Sequence, residues 1–302
     1  MQQKPQVAVT VVVSTLDRPR QLARCLEALL SATTLPAAVV VVDQGDVADS
    51  RTVVAEARER GLPVTRVVQP RWGLSASQNA GVRAARTDVV VIVDDDCVPD
   101  ERWVEVVGRA FSTSPGPLLL TGRVLPLPPE GDRVVPLSVR ANTTPRVWTQ
   151  PPMPWHIGTG GNFAVSRASF LEVGGNDERL GTGSPGRGAN DLDLFHRLVD
   201  HGVTARYEPE LLVRHERATV AEHLSRRFSY GYGVGAMLGI WLRAGDLRAL
   251  LVLLAWLRLR ARVGYERRSS GGVGHELRVL AGTVAGLLHG LRCRPGERAL
   301  HG

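Results

Sequence analysis

The sequence predicts an α/β protein with a mostly parallel central sheet flanked by helices, followed by a helical and basic C-terminal extension. Valine-rich runs without polar alternation recur at residues 7–13, 38–42, 64–68 and 89–93, the pattern of strands buried on both faces. Segments with apolar residues at helical spacing separate them, so strand and helix alternate as in a doubly wound sheet. The first, second and fourth runs stop at Ser14-Thr15-Leu16-Asp17, at Asp43-Gln44-Gly45-Asp46 and at Asp94-Asp95-Asp96. Such residues line the sheet edge where open α/β folds bind ligands, and a nucleotide fits there.

The first strand leads to Pro19, which suits the first turn of a helix carrying Leu22, Cys25, Leu26, Leu29 and Leu30, with Asp17 or Thr15 as its cap. The third strand runs into Gln69-Pro70-Arg71-Trp72-Gly73-Leu74-Ser75, and a helix from near Ser75 delivers the fourth. Pro99 ends that fourth strand, so the three acids occupy a turn. Adjacent carboxylates repel unless a cation compensates them, which suggests a metal bound with phosphate oxygens; a solvated acidic turn is the alternative. A dinucleotide-type glycine fingerprint does not follow the first strand. It occurs only at Gly181–Gly186, with no strand before it and Pro185 inside it, and reads as a mobile loop.

Residues 112–155 are rich in proline and turn residues around a short strand at 118–121, an irregular excursion. Order returns at Gly158–Val165. Leu194, Leu198 and Val199 then share a helix face, which puts Asp191 and Asp193 in its first turn, where the dipole favours acids. A helix-start role is the alternative reading for Asp191 and the expected one for Asp193. A last strand at 211–213 precedes His215.

With 43% hydrophobic and 22% charged residues the chain is a folded protein rather than a disordered one. Cys25, Cys97 and Cys293 have neither zinc-site spacing nor the even count of a disulfide framework, and residues 1–5 lack signal-peptide character, so a reduced cytoplasmic setting is expected. Charge is uneven: residues 214–302 hold 15 arginines and 6 acids, while residues 1–213 hold 22 basic and 24 acidic residues. No nucleic-acid module accompanies this basic segment, and an anionic membrane surface is the favoured partner. The apolar run Ala249–Leu257 is too short to span a bilayer, which needs about twenty residues. Arg258, Arg260, Arg262, Arg267 and Arg268, beside leucines and Trp256, suit an interfacial helix at the cytosolic face; a helix docked on protein is the alternative. Gly231, Gly235 and Gly239 recur at a spacing that allows close helix packing.

Several ordered motifs resemble glycosyltransferase family 2, nucleotide-sugar-dependent enzymes of GT-A fold. Ser14–Pro19 and Val42–Asp46 are similar to the family's base-binding loops, and Arg71–Leu74 with Asn79-Ala80-Gly81 to its conserved Gly and Asn-x-Gly segment. Asp94-Asp95-Asp96 takes the place of the Asp-x-Asp motif. Gly161-Asn162 with Val173–Glu178 resembles the acceptor segment, Asn190–Leu194 the catalytic-base segment, and His215 a metal-site histidine. The departures are Asn190 for the usual Glu before the base, Gln78 for Arg before the helix Asn, Leu16 for an aromatic residue, and Asp17 for Asn.

The resemblance implies an inverting, metal-dependent transfer from a nucleoside-diphosphate sugar to a hydroxyl of a glycan, lipid-linked or small-molecule acceptor. UDP-sugar is the expected donor, with dTDP- or GDP-sugar as alternatives. Thr15, Asp17, Asp43, Gly73, Asn79, Asp94 and Asp95 are then expected on the donor, Asp96 and His215 on Mg²⁺ or Mn²⁺, and Asp191 as base. Trp155, His156 and Asn162 are candidates for the acceptor side. The expected division is a catalytic domain over 1–217, with a nucleotide half to about 122 and an acceptor half over 123–217, and an extension over 218–302. A sugar nucleotidyltransferase would instead need a Gly-rich basic loop after the first strand, and a non-catalytic scaffold would not need Asp94, Asp96, Asp191 and His215 together.

Overall fold

The structure, a computed structural model, describes residues 4–45, 48–129, 134–266, 272–294, 296, 298 and 299. Asp46 of the second strand-end loop, and Arg267 and Arg268 of the basic run, lie outside the described residues.

Strand β1 (Gln6–Thr15), helix α1 (Pro19–Ser31), β2 (Leu35–Asp43), α2 (Ala48–Glu59), β3 (Val64–Val68), α3 (Leu74–Ala84) and β4 (Val89–Asp94) follow the predicted alternation. Then come β5 (Cys97–Pro99), α4 (Trp103–Ser112), β6 (Leu118–Pro126), β7 (Val134–Val135), β8 (Arg146–Trp148), β9 (Asn162–Ser166) and α5 (Arg167–Glu172). The chain continues through α6 (Asn190–Asp200), β10 (Thr204–His215), β11 (Ala218–Thr219), α7 (Val220–Arg243), α8 (Arg248–Glu266) and α9 (Gly272–Gly290). The main sheet has the order β3-β2-β1-β4-β9-β6-β10-β5, with β8 on the flank of β10. Strands β1 to β4 are parallel, β9 runs antiparallel to both β4 and β6, and β6 and β10 are parallel.

Successive β1 valines serve opposite layers: Val11 and Val13 join the core under α1 and α4, while Val12 packs with Ile92, Phe163 and Phe195 on the other face. Burial of each such side chain contributes about 1.5–3 kcal/mol, which explains runs with no polar alternation. Two local expectations change. The α1 N-terminus has no side-chain cap, because the Thr15 hydroxyl bonds Asp95 and Asp17 pairs with Arg71. The acid turn does not end pairing either: the chain resumes as β5 and joins the end of β10 antiparallel, with Cys97 opposite His215.

The extension folds back onto the catalytic layers. Thr219 and Glu222 form a capping box at the start of α7. Gly231, Gly235 and Gly239 of α7 face the α9 backbone, and Gly282, Gly286 and Gly290 of α9 face the α7 backbone, so closely that a Cβ on Gly235 would stand 2.0 Å from the Thr283 carbonyl oxygen. Trp256 of α8 is fully buried beneath Trp155 and Tyr230. Among the described residues no helix is long and apolar enough to cross a membrane.

Candidate active site

The ends of β1, β2 and β4 converge as the sheet order requires. Thr15 Oγ1 donates to Asp95 Oδ2 at 2.8 Å, and Arg18 reaches Asp95 Oδ1 at 3.2 Å and Asp96 Oδ2 at 3.1 Å. Asp43 is fully buried, accepting from the Gly45 N–H at 2.9 Å and pairing with Arg66 at 2.7 Å. The adjoining Gln44 accepts the N–H groups of Trp72 and Gly73, which ties the β2 loop to the start of α3. Asp17 has a positive φ of 55° and pairs with Arg71 at 2.6 Å at the rim of this edge.

The three carboxylates point in different directions. Asp95 turns inward to Thr15 and Arg18. Asp96 faces His215, whose Nε2 lies 3.5 Å from Asp96 Oδ1. Asp94 lies against Gly161, where a Cβ would stand 2.5 Å from Asp94 Oδ2, so the carboxylate needs glycine there. Burial, reinforced by the Asp96 charge, pushes the Asp94 carboxyl up to about 7. Burial likewise raises Asp95 to about 6 against the opposing pull of Arg18. The loop carries more negative charge than its protein partners neutralise.

A divalent cation fits this donor set. His215 Nδ1 lies 2.6 Å from the Glu216 carbonyl, which only accepts, so Nδ1 carries the proton and Nε2 is left to face Asp96. Two acceptors at 3.5 Å repel unless a proton or a cation lies between them. Donor atoms of Asp96, Cys97 and His215 lie within 4.8 Å of one another. Burial, with Asp94 and Asp96 nearby, drives the Cys97 thiol well up, and Asp96 and His215 are the carboxylate and imidazole that would hold the ion.

Across the 158–161 loop stands Asp191, in the first turn of α6. Its Oδ2 accepts from the Gly160 N–H at 2.8 Å and its Oδ1 from the Leu192 N–H at 2.9 Å. Burial raises its pKa in spite of these bonds. One glycine-rich strip therefore touches Asp94 on one side and Asp191 on the other. Arg140 braces the strip from beneath, donating to the carbonyls of Trp155, His156 and Gly158. Two departures from the family pattern meet here: Gln78 Oε1 accepts from Asn190 Nδ2 at 3.4 Å and from Asn176 Nδ2 at 2.9 Å. Neutral amides replace two residues of opposite charge at positions in contact.

Some expected contacts are corrected. Asn162 is fully buried, receiving Trp103 Nε1 and donating to the Arg123 and Leu211 carbonyls, so it is a core node rather than an acceptor contact. Asn79 bonds the backbone of Asn176 and the Glu178 carboxylate, which makes it a brace. Thr15 and Asp95 bond each other and support the acidic loop. The 181–188 segment is not a free loop: Leu74 N–H bonds the Thr182 carbonyl, and Arg187 lies 4.9 Å over the Tyr232 ring of α7. Asp193 is structural as expected, pairing with Arg197 and accepting from Trp241 Nε1 at 2.7 Å. Trp155 packs 5.6 Å from Trp256 and edge-on to His156. Arg18, Gln44 and Arg140 were missed; Arg18 alone had a signal, as the one cation in the Ser14–Pro19 loop.

The sequence pattern of Glycosyl transferase family 2 matches residues 10–174, which include the acidic loop and stop before Asp191 and His215. A pre-mycofactocin glycosyltransferase of Mycobacterium tuberculosis is 29% identical over 208 residues, 66% of this chain and 42% of that protein. The chain thus spans less than half of that relative's length. A glucosyl-dolichyl phosphate glucuronosyltransferase of Haloferax volcanii is 23% identical over 262 residues, 80% of each chain. Among solved structures, a mannosyltransferase of Pyrobaculum calidifontis in complex with GDP-mannose and Mn²⁺ superposes with a TM-score of 0.59 at 15% identity, covering 95% of this chain and 88% of that one. The shared architecture is the GT-A fold.

Proposed function

This chain belongs to glycosyl transferase family 2, and from that premise we propose that it transfers a sugar from a nucleoside diphosphate to a hydroxyl acceptor with inversion at the anomeric carbon, aided by Mg²⁺ or Mn²⁺. A UDP-sugar is the favoured donor. The observation that carries this reading is the glycine strip with Asp94 on one side and Asp191 on the other. It separates a donor-binding edge from a base by the width of two residues.

In this mechanism Asp43, Asp17 and the Gly73 turn shape the nucleoside edge, and Asp94 takes the ribose. Asp96 and His215 would hold the divalent ion. When bound, the ion acts as a Lewis acid that offsets charge on the departing diphosphate, a contribution of several kcal/mol. Asp191 accepts the acceptor hydroxyl proton at a carboxylate oxygen, and its raised pKa makes it a stronger base than an exposed aspartate. Attack from the Asp191 side, away from the diphosphate, inverts the anomeric centre. The division into a catalytic domain over 1–217 and an extension over 218–302 follows the same reading, with the extension backing the acceptor side.

A panel of UDP-, dTDP- and GDP-sugars tests this, with donor cleavage and thermal shift measured with and without Mn²⁺. The expected result is metal-dependent stabilisation and slow cleavage with one nucleotide class. No response to any nucleotide sugar in the presence of metal rejects the reading.

A further inference from the structure

We propose that the C-terminal helices dock the protein on an anionic lipid bilayer through an apolar face that the fold leaves uncovered. Helix α9 carries Val273, Leu277, Ala281, Val284 and Leu288 at steps of three or four residues, with Leu291 just past its end, all exposed. This strip lies opposite the glycines that seat α9 on α7, and it extends ~22 Å along the helix. Helix α8 behaves in the same way. Ala249, Val252, Trp256 and Arg260 face inward, while Leu250, Leu251, Leu254 and Leu257, with Leu247 just before the helix, face outward. Leu277 is 60% and Leu251 65% exposed, values at odds with water as the sole neighbour of an extended apolar surface.

Charge selects the occupant. Arg258, Arg278 and Arg292 border these strips, are exposed, and have no acidic partner among the described residues. The described acids of these helices are already engaged: Asp246 with Arg248, Glu266 with Arg262, and Glu276 with Arg227 and Arg260. An apolar strip edged by unpaired arginines matches an interface of acyl chains and anionic headgroups, with the arginine stems lying along the apolar surface and their heads at phosphate level. A second copy packed strip to strip would bring like charges together across a two-fold axis. The sequence placed Trp256 and Arg260 at the lipid; both are buried, and α9 supplies the longer strip instead.

The inference rests on the extension alone and is tested without donor or metal, so its failure is separable from failure of the transfer reading. Full-length protein is floated with phosphatidylcholine vesicles, with and without phosphatidylglycerol, at low and high salt. Flotation with the phosphatidylglycerol vesicles at low salt, weakened by salt or by omission of the anionic lipid, is expected. The triple variant Leu277→Glu/Val284→Glu/Leu288→Glu should lose partitioning on the order of 10-fold or more. Its melting temperature is measured alongside as a folding control. A second set, Arg258→Gln/Arg278→Gln/Arg292→Gln, leaves the helix seam untouched and should weaken only the anionic-lipid component. Absence of wild-type flotation overturns the proposal, as does undiminished flotation of both variants. A wild-type dimer in light scattering that the leucine-face variant dissociates would also overturn it, by showing that a second copy covers the strip.

Discussion

The donor edge and the C-terminal helices are both crowded with charge, and they are held together in opposite ways. At the donor edge, three adjacent carboxylates sit in a half-buried turn with Arg18 as their cationic partner and the His215 imidazole beside Asp96, and burial drives two of them up to about 7 and about 6. In the extension, Arg260 and Arg227 share the Glu276 carboxylate, and the helices adhere through backbone contact along a glycine seam. One region stores an electrostatic imbalance that a cation would relieve. The other displays most of its described arginines on the surface. A site that binds an ion by charge must be left unsatisfied by the protein, whereas a scaffold that supports it must not.

Removing the proposed base breaks the comparison most severely. Asp191→Asn should lower kcat for transfer by about 10²- to 10⁴-fold while leaving donor-induced thermal shift intact. Undiminished transfer would shift the base to another group. In the wild type the acid limb of the kcat profile should lie above the ordinary carboxylate range. The folded-state pKa of Asp191 is raised by burial, so the active anion is lost as pH falls through that raised value.

The seam is the next most sensitive point. Gly235→Val places a side chain where a Cβ already meets the Thr283 carbonyl oxygen and the Leu287 amide. Separation of α7 from α9 should cost about 3 kcal/mol or more in chemical denaturation. A loss under 0.5 kcal/mol would mean that the helices are not held by this contact.

A smaller effect is expected at the Gln78–Asn190 contact. Asn190→Glu alone introduces an unpaired carboxylate beside Asp191 and should destabilise the protein by about 1–3 kcal/mol. Adding Gln78→Arg should recover most of that loss, with a coupling of about 0.5–3 kcal/mol in a double-mutant cycle. Additive effects would show that the two departures from the family pattern are unrelated.

Much of this was legible in the chain itself. The four valine runs identified β1 to β4 because a strand buried on both faces has no polar alternation to lose, and their acidic ends marked the donor edge for the same local reason. The family resemblance rested on ordered motifs in residues 7–217, and it singled out Asp94, Asp96, Asp191 and His215. Side-chain roles were less legible. Thr15, Asn79 and Asn162 carry polar groups that suit a ligand equally well, and only their burial shows that protein partners claim them. In the extension, the glycine spacing was readable but the partner helix and the inward face of α8 were not.

The sequence by itself determined the alternation of strand and helix, the charge split between catalytic region and extension, and the acids at the strand ends, since each depends on residues that are neighbours in the chain. Only the tertiary structure decided that β5 pairs with β10 and brings His215 to Asp96, that one glycine strip separates Asp94 from Asp191, and that α9 closes on α7 with an apolar face turned outward. These are contacts between residues far apart in sequence. Their register is set by which apolar surfaces must be buried together, and no short stretch of chain contains that information.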